Sequence, residues 1–321
     1  MRVPMDPALQ RIVDARPSPG ADAATPTVEE VRGNYRQEVE EFTPERTRQA
    51  ADREDRELSS RDGVSIPIRI YRPATGDATR LPTVLWIHGG GWVSGNLDTT
   101  DPAARELAAA GTVVVAVDYR RAPEHPFPAA VDDCLDAMNW IFDHIGELGA
   151  DRRAVGVAGD SAGGNLAAVV AQQPQWRGGP LTAQLLAYPV MDARTDVGPY
   201  PSRTRHDEQP FFNLPALALS SALYLGKGGN VEDPLASPIL APDLPDVAPA
   251  VIVSVGHDPL QDEDFDYVRR LSGAGVAVVH RDDPSLAHGV IDLMGSVPAA
   301  RELFDRAIAD FLDLLHRFDR D

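Results

Sequence analysis

The chain has little cysteine and little lysine. Its 321 residues contain one cysteine, Cys134, so no disulfide can form within the chain. Lys227 is its only lysine, and arginine supplies nearly all the positive charge. The formal net charge is −19. Nucleic acid and anionic membrane surfaces are therefore not expected as partners, because both bind basic surfaces.

Long apolar runs are also missing. No stretch approaches the ~18 consecutive apolar residues that indicate a membrane-spanning helix. The start, "MRVPMDPALQRIVDARPSPG", lacks the apolar core of a signal peptide. We therefore expect a soluble cytoplasmic protein without integral membrane association. A homodimer is compatible with the sequence.

From residue 64 onward, strand patterns alternate with helix patterns. "VSIPIRIYRP" alternates apolar and polar residues, as a half-buried strand does. The other predicted strands are mostly apolar runs: "TVLWIHGGG", "TVVVAVDYR", "RAVGVAGDS", "LTAQLLAYPV", "PAVIVSVGHD" and "VAVVHRDD". Strands that alternate with helices predict an α/β fold with a mainly parallel sheet covered on both faces.

Three intervening helices carry specific expectations. "DPAARELAAAG" predicts a helix with Asp101 as N-cap, Pro102 at the first position and Gly111 at the end. "PAAVDDCLDAMNWIFDHIGELG" predicts one helix that buries the thiol of Cys134. The C-terminal helix is expected to place six apolar side chains on one face. These are Leu303, Phe304, Ile308, Phe311, Leu312 and Leu315.

Two regions fall outside the alternation. Residues 1–50 are polar and predict two helical pieces, the second with Thr27 as N-cap. Residues 193–234 hold "FFNLPALALSSALYLG" between proline-rich flanks. We expect both regions to form a helical cap over the sheet. Residues 51–192 and 235–321 would form the core beneath it, so that the chain is a single structural unit.

Ligands of parallel α/β sheets bind beyond the carboxyl ends of the strands. "AVGVAGDSAGGNLAAVV" places Ser161 there, between a buried strand and an alanine-rich helix. Gly159 and Gly163 allow the tight turn in Gly-x-Ser-x-Gly, and a serine strained on such a turn is typical of a nucleophile. An ordinary glycine-rich turn is the alternative.

"HGGGW" at 88–92 follows another predicted strand. Consecutive glycines let the backbone approach the serine and point N–H groups at the oxyanion of a tetrahedral intermediate. A flexible glycine loop or a phosphate-binding loop is the alternative. A phosphate loop normally carries a lysine, which "GGGWVSG" lacks.

His288, in "SLAHGV" after the last strand, is the candidate base, and Asp258, which ends "VIVSVGHD", is the candidate acid. His88 is expected to be a structural hydrogen-bonder, and the side chain of His257 is expected to diverge from its sequence neighbour Asp258. The other histidines fall in a proline-bound loop, on helices, in the cap region or inside a strand: His125, His144, His316, His206 and His280. The rival acids Asp262, Glu263 and Asp264 are expected to be surface charges that start a helix. Asp118 and Asp160 are expected to have structural roles.

Several motifs occur together and in order: "HGGGWVSG", "DYRRAPEHPFPAAVDDC", "GDSAGGNLA", "DPLASPILAPDL", "GHDPLQDE" and "AHG". From about residue 60 to residue 317, the chain resembles the hormone-sensitive-lipase-like family of α/β-hydrolase esterases. The resemblance implies an α/β-hydrolase fold with a mostly parallel eight-stranded sheet and a helical cap. It also implies a serine carboxylesterase that uses no metal and no cofactor.

The resemblance assigns a role to each motif residue. Ser161 is then the nucleophile, Asp258 the acid and His288 the base. The amides of Gly90, Gly91 and Ala162 form the oxyanion hole. Gly89 shapes the loop. Five apolar residues either line the substrate cleft or pack in the core or lid: Trp92, Phe211, Phe212, Leu214 and Val290. The departures from the usual pattern are Arg121 in place of leucine, His257 before the acid, and Val290 in place of an aromatic residue.

The expected reaction is hydrolysis of short- to medium-chain acyl esters of small molecules through an acyl-enzyme. An amidase or deacetylase of the same fold is one alternative. A small-ligand-binding module without catalysis is another, although such a module would typically lack the histidine. A true interfacial lipase is less favoured, because no large apolar stretch lies outside residues 211–225.

Overall fold

The computed structural model describes residues 3–16, 26–42, 52–74, 80–173, 176, 179, 181–196, 198–206, 211–244 and 246–316. Its centre is one eight-stranded sheet with strand order β1-β2-β4-β3-β5-β6-β7-β8. The strands are β1 (Asp52–Ser59), β2 (Ser65–Arg72), β3 (Leu81–Ile87), β4 (Val113–Val117), β5 (Ala150–Asp160), β6 (Ala183–Ala187), β7 (Ala250–His257) and β8 (Val278–Ala287).

Strand β2 pairs antiparallel with β1 and with β4, and the remaining neighbours pair in parallel. The central strands are buried on both faces; β4, with the sequence VVVAV, is buried at every residue. Such continuous apolar strands suit a parallel sheet covered by helices on both sides. The predicted α/β fold with a mostly parallel eight-stranded sheet is confirmed.

Strand β1 was not predicted from the periodicity of the sequence. Its residues, DREDRELS, are mostly exposed, and it lies at the edge of the sheet. It pairs with β2 from Asp52 opposite Arg72 to Ser59 opposite Ser65. Hydrophobic alternation cannot reveal a strand that buries almost nothing. Its charges protect the open edge of the sheet from pairing with another chain.

Helices cover the sheet and its carboxyl edge. They are α1 (Pro7–Ala15), α2 (Val28–Phe42), α3 (Asp101–Ala109), α4 (Ala129–Asp143), α5 (Ile145–Leu148), α6 (Ser161–Ala171), α7 (Pro201–Arg205), α8 (Leu214–Leu225), α9 (Gln261–Gly273) and α10 (Pro298–Leu315). Short 3₁₀ turns lie at Pro238–Leu240 and Val290–Leu293. No helix in the described parts of the chain combines the length and the apolar content that a bilayer crossing requires.

Two helix expectations need correction. The N-cap of α3 is Thr100, one residue before the predicted Asp101. Asp101 is instead the first helical residue, where its carboxylate accepts a hydrogen bond from Tyr71 Oη at 3.1 Å and pairs with Arg105. The single helix predicted over residues 128–149 is divided into α4 and α5. His144 separates them, because its φ of −111° and ψ of 16° are not helical.

The first turn of α9 is buried where surface charges were expected. Glu263 and Asp264 are both 0% exposed. Arg203, also fully buried, donates from Nη2 to Glu263 Oε2 at 2.6 Å, and the N–H of Met191 donates to Glu263 Oε1 at 2.8 Å. Burial raises the pKa of Glu263 to about 7 although Arg203 opposes this. An isolated acidic run does not reveal that a distant arginine will pack on it.

The C-terminal helix α10 carries its apolar face as predicted. Its side chains belong to the core on one side of the sheet, where Trp86 meets Phe304 edge-on at 6.2 Å between ring centroids. The buried residues of this face are Leu303, Phe304, Ile308, Phe311 and Leu315, with Leu312 partly buried. Helices α4, α6 and α9 cover the opposite side, and Cys134 is buried there on α4 as predicted.

The two regions expected to form a cap supply α1, α2, α7 and α8. Thr27 and Glu30 form a reciprocal capping box at the start of α2, with Glu30 N donating to Thr27 Oγ1 at 3.2 Å and Thr27 N donating to Glu30 Oε2 at 2.8 Å. Residues 1–2, 17–25, 43–50, 197 and 207–210 of these regions lie outside the described residues.

Candidate active site

Ser161 stands on a tight turn between β5 and α6. It is the first residue of α6, its φ is +52°, and Asp160 ends the strand before it. The turn requires close approach of the backbones: a Cβ on Gly163 would lie 2.1 Å from the carbonyl oxygen of Ile87. A non-glycine residue with positive φ is strained, and such strain persists where the surrounding structure enforces it. The local sequence therefore folds so as to project the Ser161 hydroxyl from the edge of the sheet.

Ser161, His288 and Asp258 form one chain of hydrogen bonds. The distance between Ser161 Oγ and His288 Nε2 is 2.8 Å, and that between His288 Nδ1 and Asp258 Oδ2 is 2.7 Å. Asp258 Oδ1 also accepts the N–H of Leu260 at 2.8 Å, which fixes the carboxylate. Nδ1–H donating to Asp258 leaves Nε2 of a neutral imidazole to accept the serine proton. The arrangement can therefore deprotonate a hydroxyl.

The sheet explains why residues so distant in sequence meet. Ser161 follows β5, Asp258 follows β7, and His288 follows β8, so all three leave the carboxyl ends of parallel strands. Asp258 is 0% exposed, His288 6% and Ser161 7%. The three are largely shielded from water. Charge interactions in such a shielded site are stronger than in solvent.

The glycine loop lies against the residue that precedes Ser161. The N–H of Gly89 donates to Asp160 Oδ1 at 3.0 Å, and a Cβ on Gly89 would collide with that carboxylate. The next residue, Gly90, has a φ of +108°, and its carbonyl oxygen accepts the N–H groups of Val93 at 3.1 Å and Ser94 at 2.8 Å. The loop therefore makes a compact turn beside Ser161.

Three amides are available at this turn. Within the described residues, no hydrogen-bond partner is found for the N–H of Gly90 or Gly91. Ala162 is the second residue of α6, and N–H groups of a helix's first turn have no partner inside the helix. Together with the positive end of the helix dipole, such amides favour a negatively charged oxygen.

His88 has a structural position. Its Nδ1 lies 2.8 Å from the carbonyl oxygen of Gly89, and its ring stacks on Tyr119 with 4.3 Å between centroids.

Arg121 Nη1 donates to Asp118 at 2.6 Å and also to the carbonyl of Gly95. The departure from leucine at position 121 therefore ties two loops together without touching the hydrogen-bonded chain.

The five predicted cleft residues occupy different surroundings. Phe212 stacks on the His288 ring at 4.4 Å between centroids, and the guanidinium of Arg16 lies 4.0 Å from the centroid of Phe211. Leu214 starts α8 and packs, half-buried, against the core. Trp92 is 0% exposed and stacks on Tyr224 at 4.3 Å, and Val290 is also buried. Trp92 and Val290 thus have almost no surface open to a cleft.

Sequence reasoning missed two residues near His288. Tyr188 has a φ of +36°, its ring centroid lies 4.8 Å from that of His288, and its hydroxyl oxygen accepts the N–H of Ile291 at 3.2 Å. It follows β6, so a search of strand ends would have found it. Asp292 does not follow a strand directly, and no feature of the sequence indicated it. Burial, together with the charge of Asp160, raises the pKa of Asp292 well above its usual range.

The sheet, the strained serine turn and the serine–histidine–aspartate chain together define the α/β-hydrolase class. The sequence profile of the family described as alpha/beta hydrolase fold matches residues 84–292. The chain belongs to this family, and its resemblance to the hormone-sensitive-lipase-like group is confirmed.

Known relatives extend the similarity over nearly the whole chain. The chain is 38% identical to "Carboxylesterase NlhH" of Mycobacterium tuberculosis over 98% of each chain. It is 37% identical to "Ethyl acetate hydrolase" of Pseudomonas putida over 76% of each chain. The structure of the Pyrobaculum calidifontis esterase is similar with a TM-score of 0.87 and 35% identity, covering 96% of this chain and 98% of the other.

Proposed function

We propose that the chain is a serine carboxylesterase that hydrolyses short- to medium-chain acyl esters of small molecules. The observation that carries the proposal is the 2.8 Å contact between Ser161 Oγ and His288 Nε2, made by a serine on a strained turn, with Asp258 on the other ring nitrogen. The esterase names of its relatives support the esterase class.

In the first half of the reaction, Ser161 Oγ attacks the carbonyl carbon of the ester while its proton passes to His288 Nε2. Asp258 holds the imidazole in the required tautomer and stabilises the imidazolium that forms. The carbonyl oxygen becomes an oxyanion beside the amides of Gly90, Gly91 and Ala162. Collapse of this intermediate breaks the bond to the alcohol oxygen, which leaves with the proton from His288.

In the second half, water replaces the alcohol. His288 takes a proton from water as the water oxygen attacks the acyl carbon, and the same amides hold the second oxyanion. Its collapse returns the proton to Ser161 Oγ and releases the carboxylic acid. Oxyanion donors of this kind contribute roughly 3 kcal/mol each to the stability of the transition state. The reaction as written needs no metal and no cofactor.

The proposal includes a cap made by residues 1–50 and 193–234 over a core of residues 51–192 and 235–321. The stacking of Phe212, two residues before α8, on His288 and the low exposure of Ser161 support it. A covered cleft limits the length of the acyl chain. Phe211, Phe212 and Leu214 would then border the acyl group, whereas Trp92 and Val290 would support it from the core.

The purified full-length chain tests the proposal directly. A fluorophosphonate should label Ser161, as located by peptide mass spectrometry. Rates on p-nitrophenyl esters from acetate to palmitate should peak at short to medium chains, and a matched anilide should react much more slowly. A protein that binds these compounds without labelling would contradict catalysis. Faster turnover of emulsified long-chain triglyceride would contradict the proposed chain length.

We also propose a cytoplasmic location, in keeping with a single cysteine that is buried on α4. Cell fractionation tests this location. A homodimer is compatible with the proposal, and light scattering on the purified chain decides between monomer and dimer.

A further inference from the structure

Helix α2 reaches two loops of the candidate active site from the N-terminal region. Arg32 on this helix donates from Nε to the carbonyl oxygen of Val93 at 2.8 Å and from Nη2 to that of Ala122 at 3.1 Å. These two carbonyl groups belong to loops that follow β3 and β4. A planar guanidinium can hold two acceptors in fixed relative positions, which an ammonium group cannot do.

The two carbonyl groups lie next to the oxyanion glycines. Val93 follows "HGGGW", and its N–H donates to the carbonyl of Gly90 at 3.1 Å. The N–H of Ala122 donates to the carbonyl of Trp92 at 3.0 Å. Arg32 therefore closes a small network that contains Gly90, Trp92, Val93 and Ala122, all within the loop that carries the free amides or bonded directly to it.

Glu124 fixes the guanidinium of Arg32. The side chain of Arg32 donates to it twice, from Nη1 to Oε1 at 2.9 Å and from Nη2 to Oε2 at 2.6 Å. Arg32 lowers the pKa of Glu124 to about 2, so the pair stays charged over the whole neutral range. Because Glu124 already holds the guanidinium in one orientation, Arg32 loses little further side-chain freedom when it binds the two loop carbonyls.

The same helix contacts the loop of the candidate base. Tyr35, one turn after Arg32, donates its hydroxyl to Asp292 Oδ2 at 3.1 Å. Asp292 lies in the 3₁₀ turn Val290–Leu293, directly after His288 and Gly289. Helix α2 thus contacts the oxyanion loop on one side and the histidine loop on the other.

We propose that Arg32 is a positioning residue for the oxyanion hole: its contacts with Val93 and Ala122 hold the backbone turn that aims the amides of Gly90 and Gly91. The inference rests on the proposed function. Arg32 touches neither the substrate nor Ser161 in this role. Because a displacement of about 1 Å at a reacting group can cost about 10²-fold in rate, a loop held less firmly should slow the chemical step.

The test compares Arg32→Met and Arg32→Lys with Arg36→Met in the full-length protein. Arg36 is exposed on the same helix, so its substitution removes the same charge without touching the loop. Active sites are counted by titration to completion with a fluorophosphonate, so that a loss of folded protein does not appear as a loss of rate. The readouts are kcat per titrated site, KM for p-nitrophenyl butyrate, and inhibition by a trifluoromethyl ketone, whose hemiketal places an oxyanion in the hole.

We expect Arg32→Met to lower kcat per titrated site about tenfold, with KM changed by less than about twofold. Its inhibition constant for the ketone should rise by the same factor as kcat falls. Arg32→Lys should recover part of the loss, because one carbonyl contact can be kept. Arg36→Met should match the wild type. Equal kcat and equal inhibition in Arg32→Met and Arg36→Met would overturn the inference.

A second measurement separates this inference from the proposed function. Amide hydrogen exchange of the peptide that covers residues 88–95 should be faster in Arg32→Met than in Arg36→Met, whether or not the protein hydrolyses esters. Identical exchange in the two variants would overturn the positioning role. A wild-type protein that neither labels nor hydrolyses would instead refute the esterase, and the exchange result would still decide the role of Arg32.

Discussion

Two serine–histidine pairs in the described part of the chain have nearly the same spacing. Ser161 Oγ lies 2.8 Å from His288 Nε2, and Ser254 Oγ lies 2.7 Å from His280 Nε2. Ser254 is inside β7 and 0% exposed, with the extended backbone of a strand. Ser161 is on a turn with a φ of +52°, at the start of a helix. The contact distance alone therefore does not distinguish a nucleophile from a structural hydrogen bond.

The surroundings of the histidines make the difference. His288 has Asp258 on Nδ1 at 2.7 Å. The ring of His280 instead meets Phe265 edge-on at 5.2 Å, and burial lowers the pKa of His280 although the charge of Asp282 opposes this. Ser161 also has the glycine loop beside it. A serine becomes a candidate nucleophile through a carboxylate that orients its histidine, through nearby free amides and through a strained turn. Ser254 instead lies in an extended strand, and in the described structure no carboxylate is hydrogen-bonded to its partner His280.

The largest expected effect comes from removing each serine in turn. Ser161→Ala should lower kcat by about 10⁴-fold or more and abolish fluorophosphonate labelling. Ser254→Ala should keep labelling and should change kcat by less than about twofold, at a cost of about 1 kcal/mol in the free energy of unfolding. Esterase assays, intact-mass spectrometry and urea unfolding measure all three. Comparable loss of activity in both variants would break the distinction between the pairs.

The carboxylates near the two histidines provide the second test. Asp258→Asn should lower kcat by about 10³- to 10⁴-fold, because an amide at this position supports the wrong tautomer of His288 and does not stabilise the imidazolium. Asp282→Asn is the matched control, and its kcat should stay within about twofold of the wild type. Steady-state kinetics at one pH measures both. Retention of activity by Asp258→Asn would show that Asp258 is dispensable.

The turn beneath Ser161 can be tested through its glycine. Gly163→Ala places a Cβ 2.1 Å from the carbonyl of Ile87, so the backbone must shift. We expect a loss of about 3 kcal/mol in unfolding free energy, with lower activity. Gly33→Ala on α2 meets nothing within 4 Å and should stabilise by about 0.5–1 kcal/mol. Urea unfolding compares the two, and a neutral Gly163→Ala would contradict the packing seen at this turn.

The smallest expected effect concerns the pH dependence of stability. The pKa of His280 is lower in the folded protein than its ordinary 6.5, so the unfolded chain takes up a proton first as the pH falls. His280 should therefore reduce stability as the pH drops below about 6.5. His280→Gln should lose less stability than the wild type between about pH 7.5 and about pH 5.5. Equal losses in urea unfolding would show that His280 does not contribute.

Much of the site could be predicted because it depends on local chain geometry. Small apolar strands, glycines and the ends of strands are visible in one sequence. They located Ser161, Asp258 and His288, which the structure brings together. The fold class followed from the same alternation of strands and helices. These features need no knowledge of which distant segments pack against each other.

The parts that could not be predicted depend on tertiary packing of polar residues. Strand β1 is held by pairing with β2 and buries little. Its charged sequence therefore lacks the apolar alternation by which a strand is predicted. Glu263 is buried against Arg203, which lies on another helix. The contact of Arg32 with Val93 spans 61 residues and leaves no mark on the polar pattern of α2. The N-cap of α3 is likewise Thr100 rather than Asp101, whose carboxylate contacts Tyr71 and Arg105 instead.

The single lysine gives the molecule a practical handle. Lys227 is exposed just beyond the end of α8, the helix that begins two residues after Phe212. Amine-reactive chemistry can therefore attach a fluorophore or a solid support at one side chain, apart from the terminal amine. A dye at this site would report whether α8 moves when an inhibitor binds. Immobilisation through it would tether the protein just beyond the end of α8, which orients every molecule on a surface in the same way.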